Sequence, residues 1–159
     1  MGKVKESGLK YVTGAKLENR LSGELQYLAI RSSDATQYNK QSCDCSSVAL
    51  VYKDYILLAL RTENGEDATP VRIAETVDYD IAEYDCRILP PPEGTIDFIK
   101  VAYFHDGSID AIKFRYGERY LFIFSGFELI VTKSIPDLME EDDTPLPEVD
   151  DSSLFDNLH

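Results

Sequence analysis

The sequence predicts a mainly β fold with at most a few short helices, built from antiparallel meander sheets that pack as a sandwich or a partly open barrel. Three observations predict it. Ten Tyr and seven Phe give 11% aromatics without any Trp, a composition that suits the pleated, half-buried surface of a sheet. Apolar stretches of five to nine residues recur between turn signals, several of them with a period of two. Helix starts are scarce, and the best of them is Ser134-Ile135-Pro136-Asp137, which leads into one or two turns at most.

Taken in order, Leu9, Tyr11, Ala15 and Leu17 keep an approximate period of two, and Arg20-Leu21-Ser22-Gly23 supplies a turn. Residues 9–17 therefore read as a strand and residues 25–30 as the next. Residues 32–47 are polar and short of aliphatics, which reads as a long functional loop. Residues 48–52 and 55–60 are β-prone runs separated by Lys53-Asp54, the spacing of a tight hairpin. Asn64-Gly65 marks a turn and residues 71–74 a further strand. Residues 75–85 then hold five acids and no base.

Pro90-Pro91-Pro92 forces extended backbone and removes three ladder donors, dividing the body into halves 1–89 and 95–134. Beyond it, residues 96–104 form an apolar strand and Asp106-Gly107 is the strongest hairpin signal in the chain. Ile112, Phe114 and Tyr116 alternate with Lys113 and Arg115, residues 120–124 are continuously apolar, Ser125-Gly126 turns, and Phe127, Leu129 and Val131 alternate with Glu128 and Thr132. The halves share a pattern: Ala49-x-x-Tyr52 before Tyr55-Ile56-x-Leu58 matches Ala111-x-x-Phe114 before Tyr120-Leu121-x-Ile123. Two repeated halves are one reading of this match; the other is that any two hairpins with one buried face share the same alternation.

The chain has 159 residues and a formal net charge of -13, enough for one core. Residues 135–159 carry nine acids and no Lys or Arg, which leaves 20 acids against 16 bases before them. One domain over residues 1–134 is expected, followed by an acidic, largely disordered tail at 135–159. This charge disfavours nucleic acid and anionic membrane as partners and attracts basic proteins. Three cysteines, an odd number, together with a start that lacks an apolar leader, point to reduced thiols and a cytoplasmic location.

Cys43-Asp44-Cys45 offers metal-ligating side chains, but Cys43 and Cys45 at i, i+2 without a second pair fall short of zinc-knuckle spacing. No metal or cofactor is expected, since Gly107, Gly117 and Gly126 sit at hairpin spacings and form no phosphate-binding loop. Catalysis by a triad would have to run through His105, beside the Asp106-Gly107 turn, and no catalytic residue is assigned. The favoured binding surface is the run in which Asp78, Asp80, Glu83 and Asp85 interleave with Tyr79 and Tyr84. There the acids steer a basic partner and Tyr supplies contact area at low entropic cost. A second candidate lies in the tail, where Leu154 and Phe155 punctuate the acids; Asp151-Ser152-Ser153-Leu154-Phe155 resembles the peptide by which many bacterial proteins dock on the sliding clamp, with Asp151 where that family prefers Gln.

These features are similar in physical type to bacterial immunity proteins, which are small, acidic and cytosolic and block a toxin by covering its cationic site. The expected function is a non-enzymatic inhibitor of a basic toxin or nuclease. The alternatives are a small-ligand-binding or hydrolytic β-barrel lined by Tyr103, Phe114, Tyr116, Phe122 and Phe124, with Glu128 or an acid of residues 75–85 as base, and an adaptor that binds through its tail.

Overall fold

The structure, a computed structural model, describes residues 10–32, 42–61, 71–76, 82, 84, 86–90, 94–117, 119–125 and 129–132. The described elements are β1 (Lys10–Tyr11), α1 (Gly14–Leu21), β2 (Leu25–Ser32), β3 (Ser42–Tyr52), β4 (Ile56–Arg61), β5 (Val71–Thr76), β6 (Cys86–Ile88), β7 (Ile96–Tyr103), β8 (Ile109–Tyr116), β9 (Arg119–Ser125) and β10 (Leu129–Thr132). All strand pairings are antiparallel. The mainly β fold is therefore as expected. Six strands close into a ring, β3–β4–β5–β8–β9–β10 and back to β3, while β2 and β7 lie outside it on β3 and β8. No helix among the described residues is long and apolar enough to cross a membrane.

Alternation explains which face each strand buries. Val48, Leu50 and Tyr52 of β3 share one core with Leu57 of β4, Ile73 of β5, Ile112 and Phe114 of β8, Leu121 and Ile123 of β9, and Leu129 and Val131 of β10. Each of these buried aliphatic or aromatic side chains contributes about 1.5–3 kcal/mol of transfer free energy. The ring is thus filled by side chains from both halves, and neither half closes it alone. Residues of opposite parity form two smaller outer clusters. One holds Ala29, Ala49 and Leu58 under Tyr84, and the other holds Ala111 and Phe122 with Ala102, Tyr120 and Phe124 around them.

The halves repeat one pattern of pairing across four strands. The row Ala29–Ala49–Leu58–Ala74 crosses β2, β3, β4 and β5 as the row Ala102–Ala111–Phe124–Ile130 crosses β7, β8, β9 and β10. The next rows, Leu28–Leu50–Leu57–Glu75 and Tyr27–Val51–Ile56–Thr76, match Val101–Ile112–Ile123–Val131 and Lys100–Lys113–Phe122–Thr132. Even a β-bulge recurs in register, with Gln26 the extra residue between Leu25 and Tyr27 and Ile99 the extra residue between Phe98 and Lys100.

Two expectations are corrected. Residues 14–21 are a helix and not strand and turn: Leu17 and Leu21, one i, i+4 pair, are its buried stripe, and Gly14 enters it at φ +65, a region open to glycine. Residues 42–47 belong to β3 and not to a loop. Cys43, Cys45 and Ser47 are buried while Asp44 and Ser46 face outward, so cysteine serves there as a small apolar residue. The hairpins at Lys53-Asp54 and Asp106-Gly107 stand where the sequence puts them. The turn at Asn64-Gly65, residues 126–128 of the turn after Ser125, the helix start at Ser134 and the tail lie outside the described residues.

Candidate functional site: a cleft at the second ring seam

The ring closes through two unequal seams. At the first, Leu129–Thr132 of β10 pair four times with residues of β3, from Leu129↔Cys45 to Thr132↔Ser42. At the second, among the described residues, β5 meets β8 through one pair, Val71↔Ile109, where β8 gives way to the turn before it. β1 takes over the vacant edge of β5: Lys10 pairs with Glu75 and Tyr11 with Ala74, and the Val12 N–H donates to the Ile73 carbonyl at 2.8 Å.

A cleft of about 420 Å³ opens at this substitution, lined by Tyr11 to Gly14, Leu17, Val71 to Ile73, Tyr103 and Asp106 to Ile109. Val12 and Leu17 form its buried floor. Tyr11 and Tyr103 stand at its rim, each 41% exposed. The Arg72 guanidinium lies 4.1 Å from the Tyr11 ring centroid, a cation–π contact that orients the ring. The Tyr103 hydroxyl donates to Glu18 Oε2 at 3.1 Å. Partial burial, and then the Glu18 carboxylate, push the Tyr103 phenol above its usual range.

Each wall is fixed by local chemistry. In the β7–β8 turn, Gly107 adopts φ +88, and Asp106 Oδ1 accepts from the Ser108 N–H at 2.9 Å and the Ser108 hydroxyl at 2.5 Å. These bonds hold the Asp106 carboxyl below its usual range. The far end of α1 is anchored by two tyrosines of the β3–β4 hairpin. Tyr52 and Tyr55 stack at 4.7 Å between centroids, and their hydroxyls donate to the Leu21 and Arg20 carbonyls at 2.8 and 2.5 Å. Arg20 adds an ion pair to Glu75 at 3.1 Å. Burial drives the Tyr52 phenol far above its usual range, so it stays a donor.

The sequence-predicted residues are distributed as follows. Tyr84 is described and buried, its hydroxyl 3.2 Å from that of Ser47, so its ring packs on the first outer cluster and offers no contact area. Asp78, Tyr79, Asp80, Glu83 and Asp85 lie outside the described residues, as do Glu128, Leu154 and Phe155. Cys43 and Cys45 are buried in the ring core, where Cys45 Sγ donates to the Leu129 carbonyl at 3.1 Å. Among the described residues, no three His, Cys, Asp or Glu side chains converge as metal ligands. His105 is exposed on its turn and does not line the cleft. The expected barrel lining is split: Phe114 and Tyr116 face the ring core, Phe122 and Phe124 belong to the outer cluster, and Tyr103 stands at the cleft. A barrel lined by all five is thereby overturned.

The cleft itself was not legible in the sequence. Its signal was the exposed aromatic of Tyr11 six residues before Leu17, the helical part of a floor that reads as strand. Comparison with protein-family models, curated proteins and solved structures finds no match to this chain.

Proposed function

We propose that this chain is a non-enzymatic protein-binding protein that captures a basic partner, in the manner of an immunity-type inhibitor of a toxin or nuclease. One observation carries the reading: its charge is segregated. The described residues hold twelve Lys and Arg against eight acids (Glu18, Glu24, Asp44, Asp54, Glu75, Asp97, Asp106 and Asp110), whereas the whole chain holds 16 and 29. The excess of acid therefore belongs, along the sequence, to the remaining segments and above all to residues 135–159, which carry nine acids and no Lys or Arg. Such an arrangement leaves binding to the exterior, with the acids accelerating encounter and orienting a cationic partner. Tyr11 and Tyr103 at the cleft rim supply the aromatic anchors on which interface energy concentrates.

The test is capture of a basic nuclease domain by the full chain and by the variant in which Asp78→Asn, Asp80→Asn, Glu83→Gln and Asp85→Asn are combined. The combined variant is expected to bind at least about tenfold more weakly, the scale of several lost steering charges. Unchanged affinity removes this segment from the interface. A second reading, a small ligand held in the cleft, is favoured by its size, which falls within the roughly 300–1,000 Å³ typical of such sites. Under that reading Tyr103→Ala abolishes ligand uptake and the acidic variant does not affect it.

A further inference from the structure

The two sides of the cleft carry opposite charge. On the β1 and β5 side a lining base, Arg72, rests its guanidinium 4.1 Å from the Tyr11 ring centroid. On the β7 and β8 side stand the exposed ring of Tyr103 and the exposed carboxylate of Asp106. The rest of the lining is largely apolar, with Val12, Leu17, Val71, Ile73 and Ile109 all buried. A groove of this composition suits a side chain with a long aliphatic stem and a charged head.

Three features make the β7 and β8 wall a seat for a cation. The Tyr103 hydroxyl donates to Glu18 Oε2 at 3.1 Å; a phenol that donates to a carboxylate gains electron density, so its face attracts a cation more strongly. Asp106 Oδ1 accepts both bonds from Ser108, which fixes the carboxylate and keeps it ionised, and Oδ2 is left for a further donor. Room lies beside it, because a Cβ placed on Gly107 would meet no atom within 4 Å, and the same holds at Gly14 on the α1 side.

We propose that the cleft seats an arginine side chain of the basic partner, its stem on the apolar lining and its guanidinium against Tyr103 and Asp106. The inference rests on the proposed capture of a basic partner and adds the place where one of its cations is held. Arginine fits better than lysine, since a planar guanidinium stacks on a ring and still offers its fork to a carboxylate. Tyr11 already holds one guanidinium in this way, that of Arg72. Arg72 also gives the site its direction, because its charge repels a second cation from the Tyr11 side and leaves the Tyr103 side favourable.

The test uses the full chain with N-acetyl-arginine amide, and with N-acetyl-citrulline amide as the uncharged near-isostere. Binding is read by NMR at the Tyr103 ring and the Ser108 amide, which separates the cleft from acids elsewhere in the chain. The probe needs no partner protein, so these results judge the cleft, whereas capture of a basic nuclease domain is judged by the combined variant at residues 78–85. The citrulline probe is expected to bind at least about fivefold more weakly, the upper range for one exposed ion pair. Asp106→Asn, whose amide oxygen still accepts from Ser108, weakens the arginine probe by a similar factor and leaves the citrulline probe unchanged. Tyr103→Ala weakens it, Tyr103→Phe retains the ring and most of the binding, and Arg72→Gln tightens it by removing the repelling charge. Equal binding of the two probes, an absence of shifts at millimolar probe, or arginine binding indifferent to Asp106→Asn overturns the proposal. Weaker binding in Arg72→Gln overturns the assigned direction and with it the seat at Tyr103 and Asp106.

Discussion

At the scale of single residues, the β7–β8 hairpin holds two carboxylates that its geometry pushes in opposite directions. Asp106 is exposed on the turn, and its bonds from Ser108 stabilise the charged form. Its contribution to stability is present above the unfolded carboxylate range and is lost as pH falls through the lowered folded value. Asp110, the extra residue of a bulge between Ile109 and Ala111, is buried, and burial raises its pKa. For Asp110 the sign reverses: the folded state favours the neutral form, a contribution complete below the unfolded value and lost as pH rises through the folded one. Asp110→Asn, close in shape and unable to ionise, is expected to raise Tm at about pH 7 and to converge with the parent near pH 4, where free Asp protonates. A variant that melts lower at neutral pH would show that ionised Asp110 has a stabilising partner.

At the scale of elements, α1 is the piece on which the cleft depends. It is short, one turn past nucleation, and isolated helices of that length do not persist in water. Packing of Leu17 and Leu21 under the Tyr52–Tyr55 stack holds it. Leu21→Ala is therefore expected to cost about 2–5 kcal/mol in chemical denaturation, the range for a fully buried leucine; a cost near zero would mean that the helix is not part of the cooperative core. The same brevity explains why α1 was misread. Leu9, Tyr11, Ala15 and Leu17 imitate a period of two, and a two-turn helix offers one i, i+4 pair to set against them. The β7–β8 and β8–β9 hairpins were legible because their turns and alternation are local. The first half of β3 was not, since its inward residues are Cys43, Cys45 and Ser47, which carry little β signal. Both ring seams join residues far apart in sequence, Val71 with Ile109 and Cys45 with Leu129, and no local pattern encodes such closure.

At the scale of the whole molecule, the described strands and helix hold more Lys and Arg than acids around a filled core, and the net negative charge of the chain is carried by the rest of the sequence. The sequence displayed the total charge and the acidic tail directly. What it hid was the division, because Tyr84 looks like surface when read beside Asp85 and proves to be core. The four-strand rows show how one chain places cations and apolar residues at equivalent positions of two halves and so makes them unequal. Under the proposed function, electrostatic attraction between a basic partner and the chain's excess acids acts before contact, on the rate of association more than on its lifetime. The decisive measurement is accordingly the association rate constant of the full chain with a basic nuclease domain as salt is raised across the range in which the Debye length shrinks from about 30 to 10 Å. A fall of at least about tenfold is predicted; a rate constant that stays flat would contradict capture by the acidic exterior.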